Sequence, residues 1–180
     1  MRKVHVSMLT VVICTLVAAP AFAQQPSKVG LTLGYPQSVG LVIPVTDNVT
    51  LRPEMAFSRS STEFEGPFVI DDSRTATTFG AGISALFYVS SWNDLRAYVS
   101  PRFLYSRASS DDDAKGTAYS VTGSFGAQYS LSDRFAVFGE VGLGWSRSES
   151  DSFSSVTTIR ATNRTTAWST RSALGAAIYF

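Results

Sequence analysis

Residues 119–131 read YSVTGSFGAQYSL, and they sort by parity. One face carries Tyr119, Val121, Gly123, Phe125, Ala127, Tyr129 and Leu131; the other carries Ser120, Thr122, Ser124, Gly126, Gln128 and Ser130. A period of two marks a strand with one apolar and one polar face. Downstream, Phe135, Val137, Gly139, Val141, Leu143 and Trp145 oppose Ala136, Phe138, Glu140, Gly142 and Gly144. The last run sets Trp168, Thr170, Ser172, Leu174, Ala176, Ile178 and Phe180 against Ser169, Arg171, Ala173, Gly175, Ala177 and Tyr179. Upstream, the same alternation holds over 95–106, 78–89 and 49–58. Two shorter runs, Val29–Tyr35 and Val39–Val45, are divided by a predicted tight turn at Tyr35-Pro36-Gln37-Ser38. The count is eight strands.

Thr75 to Asn93 contains no charge and is long enough for a membrane helix. A helix would scatter its Ser, Thr and Gly around the cylinder, whereas alternation collects the large apolar groups on one side. A strand is therefore expected. The connections alternate in length. Thr46-Asp47-Asn48, Ser91-Trp92-Asn93-Asp94 and Ser132-Asp133-Arg134 are short and rich in turn formers. Ser60–Arg74, Ala108–Gly116 and Ser148–Thr166 are expected to be long loops. Short turns at one end and long loops at the other describe an up-and-down barrel crossing an outer membrane.

The face assignment follows from volume. Turning the apolar face inward would crowd the narrow lumen of eight strands, while the Gly, Ser and Thr face fills such a lumen well. Aromatics recur at both ends of the apolar face: Tyr119 with Tyr129, Phe135 with Trp145, and Trp168 with Phe180. Ten to twelve residues of tilted strand rise roughly 25–30 Å, which matches an apolar band between two aromatic girdles. Tyr119, Tyr129, Phe135, Trp145 and Trp168 are the expected lipid-interface residues.

Composition agrees. At 180 residues the expectation is one domain, and charged residues are only 16%, against about 25% in soluble domains. A net charge of +1 gives no basis for nucleic-acid binding. Arg2 and Lys3, the apolar stretch Met8–Ala19 and Ala21-Phe22-Ala23 form a secretory signal pattern, with cleavage expected after Ala23. Residues 1–23 are thus the signal peptide and 24–180 the barrel domain. Cleavage removes Cys14 and His5, each the single residue of its type, and turns the charge balance from +1 to −1. No metal site, no cofactor and no enzyme activity are expected of what is left.

The ending Leu174-Gly175-Ala176-Ala177-Ile178-Tyr179-Phe180 resembles the assembly signal of bacterial outer-membrane barrels. The eight-segment plan over 28–180 resembles the small OmpA/OmpX-type superfamily. That resemblance implies an all-β, eight-stranded antiparallel up-and-down transmembrane β-barrel in the outer membrane of a Gram-negative bacterium. It implies recognition by the barrel-assembly machinery through Leu174, Ala176, Ile178 and Phe180, and contact with outer-membrane lipid and lipopolysaccharide.

The inward positions hold Arg52, Glu54, Arg96, Arg102, Glu140 and Arg171. Charges in a low-dielectric interior must be paired, so a lumen ion-pair network is expected, with Arg52, Glu54, Arg102 and Glu140 at similar heights. Two functions follow. A permanent plug leaves a structural or surface-interaction barrel, with any extracellular ligand held by the loops; a network that swaps partners makes a narrow gated pore for ions or small solutes. Asp111-Asp112-Asp113 lacks the spaced ligands of a calcium loop and reads as a solvated tip. The apolar run Phe64–Ile70 is a candidate contact for lipopolysaccharide or a partner, or folds over the rim.

Overall fold

The computed structural model describes residues 28–35, 38–66, 69–110, 115–154 and 159–180, with side chains outside 62–74 and 152–161. The signal segment 1–23 and the tip Asp111–Asp113 lie outside the described residues, as do the side chains of 64–70.

Alternation becomes eight antiparallel strands: β1 (Gly30–Tyr35), β2 (Ser38–Thr46), β3 (Val49–Gly66), β4 (Val69–Trp92), β5 (Leu95–Ser110), β6 (Lys115–Ser132), β7 (Phe135–Ser154) and β8 (Ile159–Tyr179). Each pairs with its sequence neighbours, and β8 returns to β1 to close the ring. The charge-free stretch lies in β4, and residues 30–46 form two strands, with Gly34 opposite Ser38. The split of faces follows parity as expected. Val39, Phe57, Ile83, Phe103, Phe125 and Leu143 are exposed on the outer wall, while Thr32, Arg52, Ser84, Ser100, Ser124 and Glu140 are buried inside. A barrel with its large apolar groups outside and its charges within is built for lipid, not water.

Three hairpins at one end share a construction. Asp47-Asn48, Asn93-Asp94 and Asp133-Arg134 connect the strands, and a register shift adjoins each turn, between Pro44 and Thr46, Tyr88 and Ser90, and Ser130 and Ser132. Each shift leaves one apolar residue, Val45, Val89 or Leu131, out of the ladder and facing outward. Asn93 takes a φ of 50°, tolerable for Asn in a tight turn. The turn carbonyls also tie the rim together. Asn48, Asp94 and Arg134 accept hydrogen bonds from Tyr88 N (2.9 Å), Ser130 N (2.9 Å) and Tyr179 N (2.8 Å) of the next strand round the ring.

The other end corrects the sequence reading. Most of what was expected to be long loop is paired strand. The β3–β4 ladder runs on through Ser60↔Ala76 to Phe64↔Asp72, and β7–β8 through Ser148↔Thr165 to Ser154↔Ile159. Ser- and Thr-rich segments with β-branched residues support pairing, and polarity alone does not end a ladder. β4, at 24 residues, rises about 60 Å at ordinary rise and tilt, far beyond an apolar band of about 25 Å. β1 and β2 behave differently, with only 6 and 9 residues. Beyond Leu174 on β8 and Ala56 on β3, the described residues offer these strands no ladder partner on that side, so the outer wall is notched there.

Candidate functional site: a charged belt across the lumen

Parity places six charged residues inside, and the ring geometry determines which of them meet. Arg52 on β3 and Glu140 on β7 lie on opposite sides of an eight-membered ring, and their side chains bridge it. Arg52 Nη2 donates to Glu140 Oε1 at 2.7 Å, with both side chains almost fully buried. Arg52 Nε donates to Ser84 Oγ on β4 at 3.0 Å, and its guanidinium lies 5.2 Å from the Phe138 ring centre. Tyr98 on β5, fully buried, donates its hydroxyl to the same Glu140 oxygen at 2.9 Å. Arg102 on β5 holds Glu54 on β3 in a fork, through Nε and through Nη2 to Oε2 at 2.9 Å. Such bidentate geometry is the strong form of the Arg–carboxylate pair.

A second tier, drawn from β4, β6 and β8, lies toward the turn end. Tyr88 donates to Gln128 Oε1 at 3.1 Å, and Gln128 Nε2 donates to the Tyr179 hydroxyl at 2.9 Å. The rings of Tyr88 and Tyr98 meet edge to face at 5.6 Å, joining the tiers. Arg96 sits at the mouth. Its guanidinium lies 3.6 Å from the Tyr88 ring centre, and Nη2 donates to Asp47 O at 2.9 Å. On either side of the belt is a vestibule. One, about 350 Å³, is lined by Lys28, Thr50, Tyr88, Arg96 and Tyr179; the other, about 270 Å³, by Arg102, Thr122, Ser146 and Arg171. They share no residue.

Of the six inward charges, then, four form two ion pairs, Arg96 packs on a ring at the mouth, and Arg171 stands apart beyond the belt. The sequence reading passed over Tyr98, Tyr88, Gln128, Tyr179 and Ser84. For all but Ser84 the signal was present, since bulky Tyr and Gln interrupt a face otherwise built mostly of Gly, Ser and Thr. Space for one of them comes from glycine. A Cβ on Gly126 would come within 2.5–2.7 Å of the Tyr98 ring and hydroxyl. Gly126→Ala should therefore push Tyr98 off Glu140 and cost about 1–3 kcal/mol, measurable as a lower unfolding midpoint of the refolded protein.

On the outer wall, Tyr119 packs against Trp145 at 5.7 Å between ring centres, and Trp145 pairs in register with Trp168. Tyr129, Phe135 and Phe180 lie outward at the turn end. Leu174, Ala176 and Ile178 sit on β8 between β7 and β1.

The sequence matches the outer membrane protein beta-barrel domain family over residues 9–180. The chain belongs to that family. An outer-membrane barrel of this kind accounts for the outward apolar wall and the closed ring. Similar solved structures include a major outer membrane protein from Thermus thermophilus, 11% identical, with a TM-score of 0.49, covering 85% of this chain and 98% of that one. Acinetobacter baumannii CarO is also 11% identical, with a TM-score of 0.47, covering 88% and 100%. No curated protein matches the sequence.

Proposed function

We propose that this outer-membrane barrel is a closed, non-catalytic scaffold that acts at the cell surface of a Gram-negative bacterium through its projecting hairpins. The observation that carries this reading is the Arg52–Glu140 bridge between opposite strands, which with Tyr98 spans the lumen. Opening a path would take the buried bridge apart, and a separated buried charge costs several kcal/mol. The β3–β4 and β7–β8 hairpins support the surface role, because their ladders continue well past the length a membrane requires. Export through a signal peptide at residues 1–23, folding by the assembly machinery through the β8 face, and contact with lipopolysaccharide belong to the same proposal.

Liposome swelling tests it. Vesicles carrying the folded barrel should swell in glycine or small sugars no faster than empty vesicles. Size-dependent swelling above that baseline would instead make the barrel a narrow pore.

A further inference from the structure

The inward charges do not balance. Glu54 and Glu140 are taken by Arg102 and Arg52, and Arg171 is left over on the outer side of the belt. Its Nε is buried and has no acceptor among the described residues. A guanidinium in that position carries five N–H donors and no means of shedding its charge, and an enclosed polar group without an acceptor is a standing cost. Arg171 borders the vestibule of about 270 Å³, together with the inward-facing Arg102, Ser120, Thr122, Ser146 and Ser169. Among the described residues, no carboxylate lines it. Arg102 faces the same space while spending only Nε and Nη2 on Glu54. Gly144, opposite Ser169, keeps the β7 floor of the cavity low, since a Cβ there would approach Thr122 Oγ1 at 2.9 Å.

The geometry points to an anion site above the belt, where the Arg171 guanidinium and the Ser and Thr hydroxyls hold a small oxyanion. The ligand is the carboxylate or phosphate group of a free solute, or of a lipid headgroup reaching in from the outer face. The cavity is slightly smaller than the ~300–1,000 Å³ of drug-sized pockets, so the part that enters has few heavy atoms. Planar guanidinium with hydroxyl donors around it is the combination that pairs with such groups. The site also lies beside the notch: Leu174 is the last β8 residue paired with β1, and Arg171 is just beyond it. A ligand therefore has two approaches, from the open cup or past the short first hairpin.

The test uses the full folded barrel in a neutral detergent. Inorganic phosphate is titrated while the Arg171 Nε–H resonance and thermal unfolding are followed. Phosphate should shift that resonance saturably and raise the unfolding midpoint, and Arg171→Gln should weaken binding at least about tenfold. The pair Ser146→Ala and Ser169→Ala, in one chain, should weaken it several-fold with the resonance still present, which serves if Arg171→Gln does not fold. A short-chain phosphatidic acid saturating the resonance at lower concentration than phosphate would assign the site to a headgroup; the reverse order would assign it to a free solute. An unmoved Nε–H resonance with both probes overturns the proposal, as does phosphate binding unaffected by either variant.

Discussion

Glu140→Ala should lower the stability of the folded barrel by about 3–5 kcal/mol, the cost of leaving a buried charge without its partner. The carboxylate holds two groups at once, Arg52 from β3 and Tyr98 from β5, so its loss strands a guanidinium and a hydroxyl together. The effect should appear as a lower midpoint in urea unfolding from lipid and a lower temperature for the heat-induced shift in gel mobility. Replacing both partners, as Arg52→Met with Glu140→Leu, should recover most of the loss, because a buried pair is worth little against an apolar substitute. A double variant no more stable than Glu140→Ala alone would mean that the pair is not acting as a unit. Glu140→Ala with unchanged unfolding would remove the belt from the account.

Phe125→Arg should cost about 2–4 kcal/mol for a different reason. Phe125 is 53% exposed on the outer face of β6, midway between Tyr119 and Tyr129, which places it at the centre of the apolar band. A guanidinium there faces hydrocarbon. Thr117, also outward on β6 but beyond Tyr119, should accept Arg at about 0–1 kcal/mol. Equal costs at the two positions would contradict the assignment of the outer face to lipid.

Parity carried a great deal. Because successive residues on a strand face opposite ways, YSVTGSFGAQYSL was enough to set Phe125 outside and Ser124 inside, and the same rule placed all six charges in the lumen. Strand count, neighbour order and the turn positions followed from where alternation stopped. Partner choice was less legible. Which Arg meets which Glu depends on how far each strand is staggered around a tilted ring, and the shifts at Pro44, Tyr88 and Ser130 alter that stagger without leaving a strong mark in the sequence. Arg171 looked equivalent to Arg102 by parity alone. Their difference is the partner, since Arg102 reaches Glu54 across the wall while Arg171 Nε has no acceptor among the described residues. The hairpin extensions were misread as loops because polar Ser and Thr signal solvent exposure in either state. A ladder standing in water can be polar on both faces, and then period-two patterning no longer reports it.

The bridged lumen is tested most directly by single-channel recording of the folded, heat-modifiable barrel in a planar bilayer. The unaltered chain should leave the membrane silent across a wide voltage range, with rare steps only when Glu140 or Arg52 is neutralised. Discrete, reproducible conductance from the unaltered protein, at a level that changes in Glu140→Gln, would contradict it and make the belt the gate of a pore.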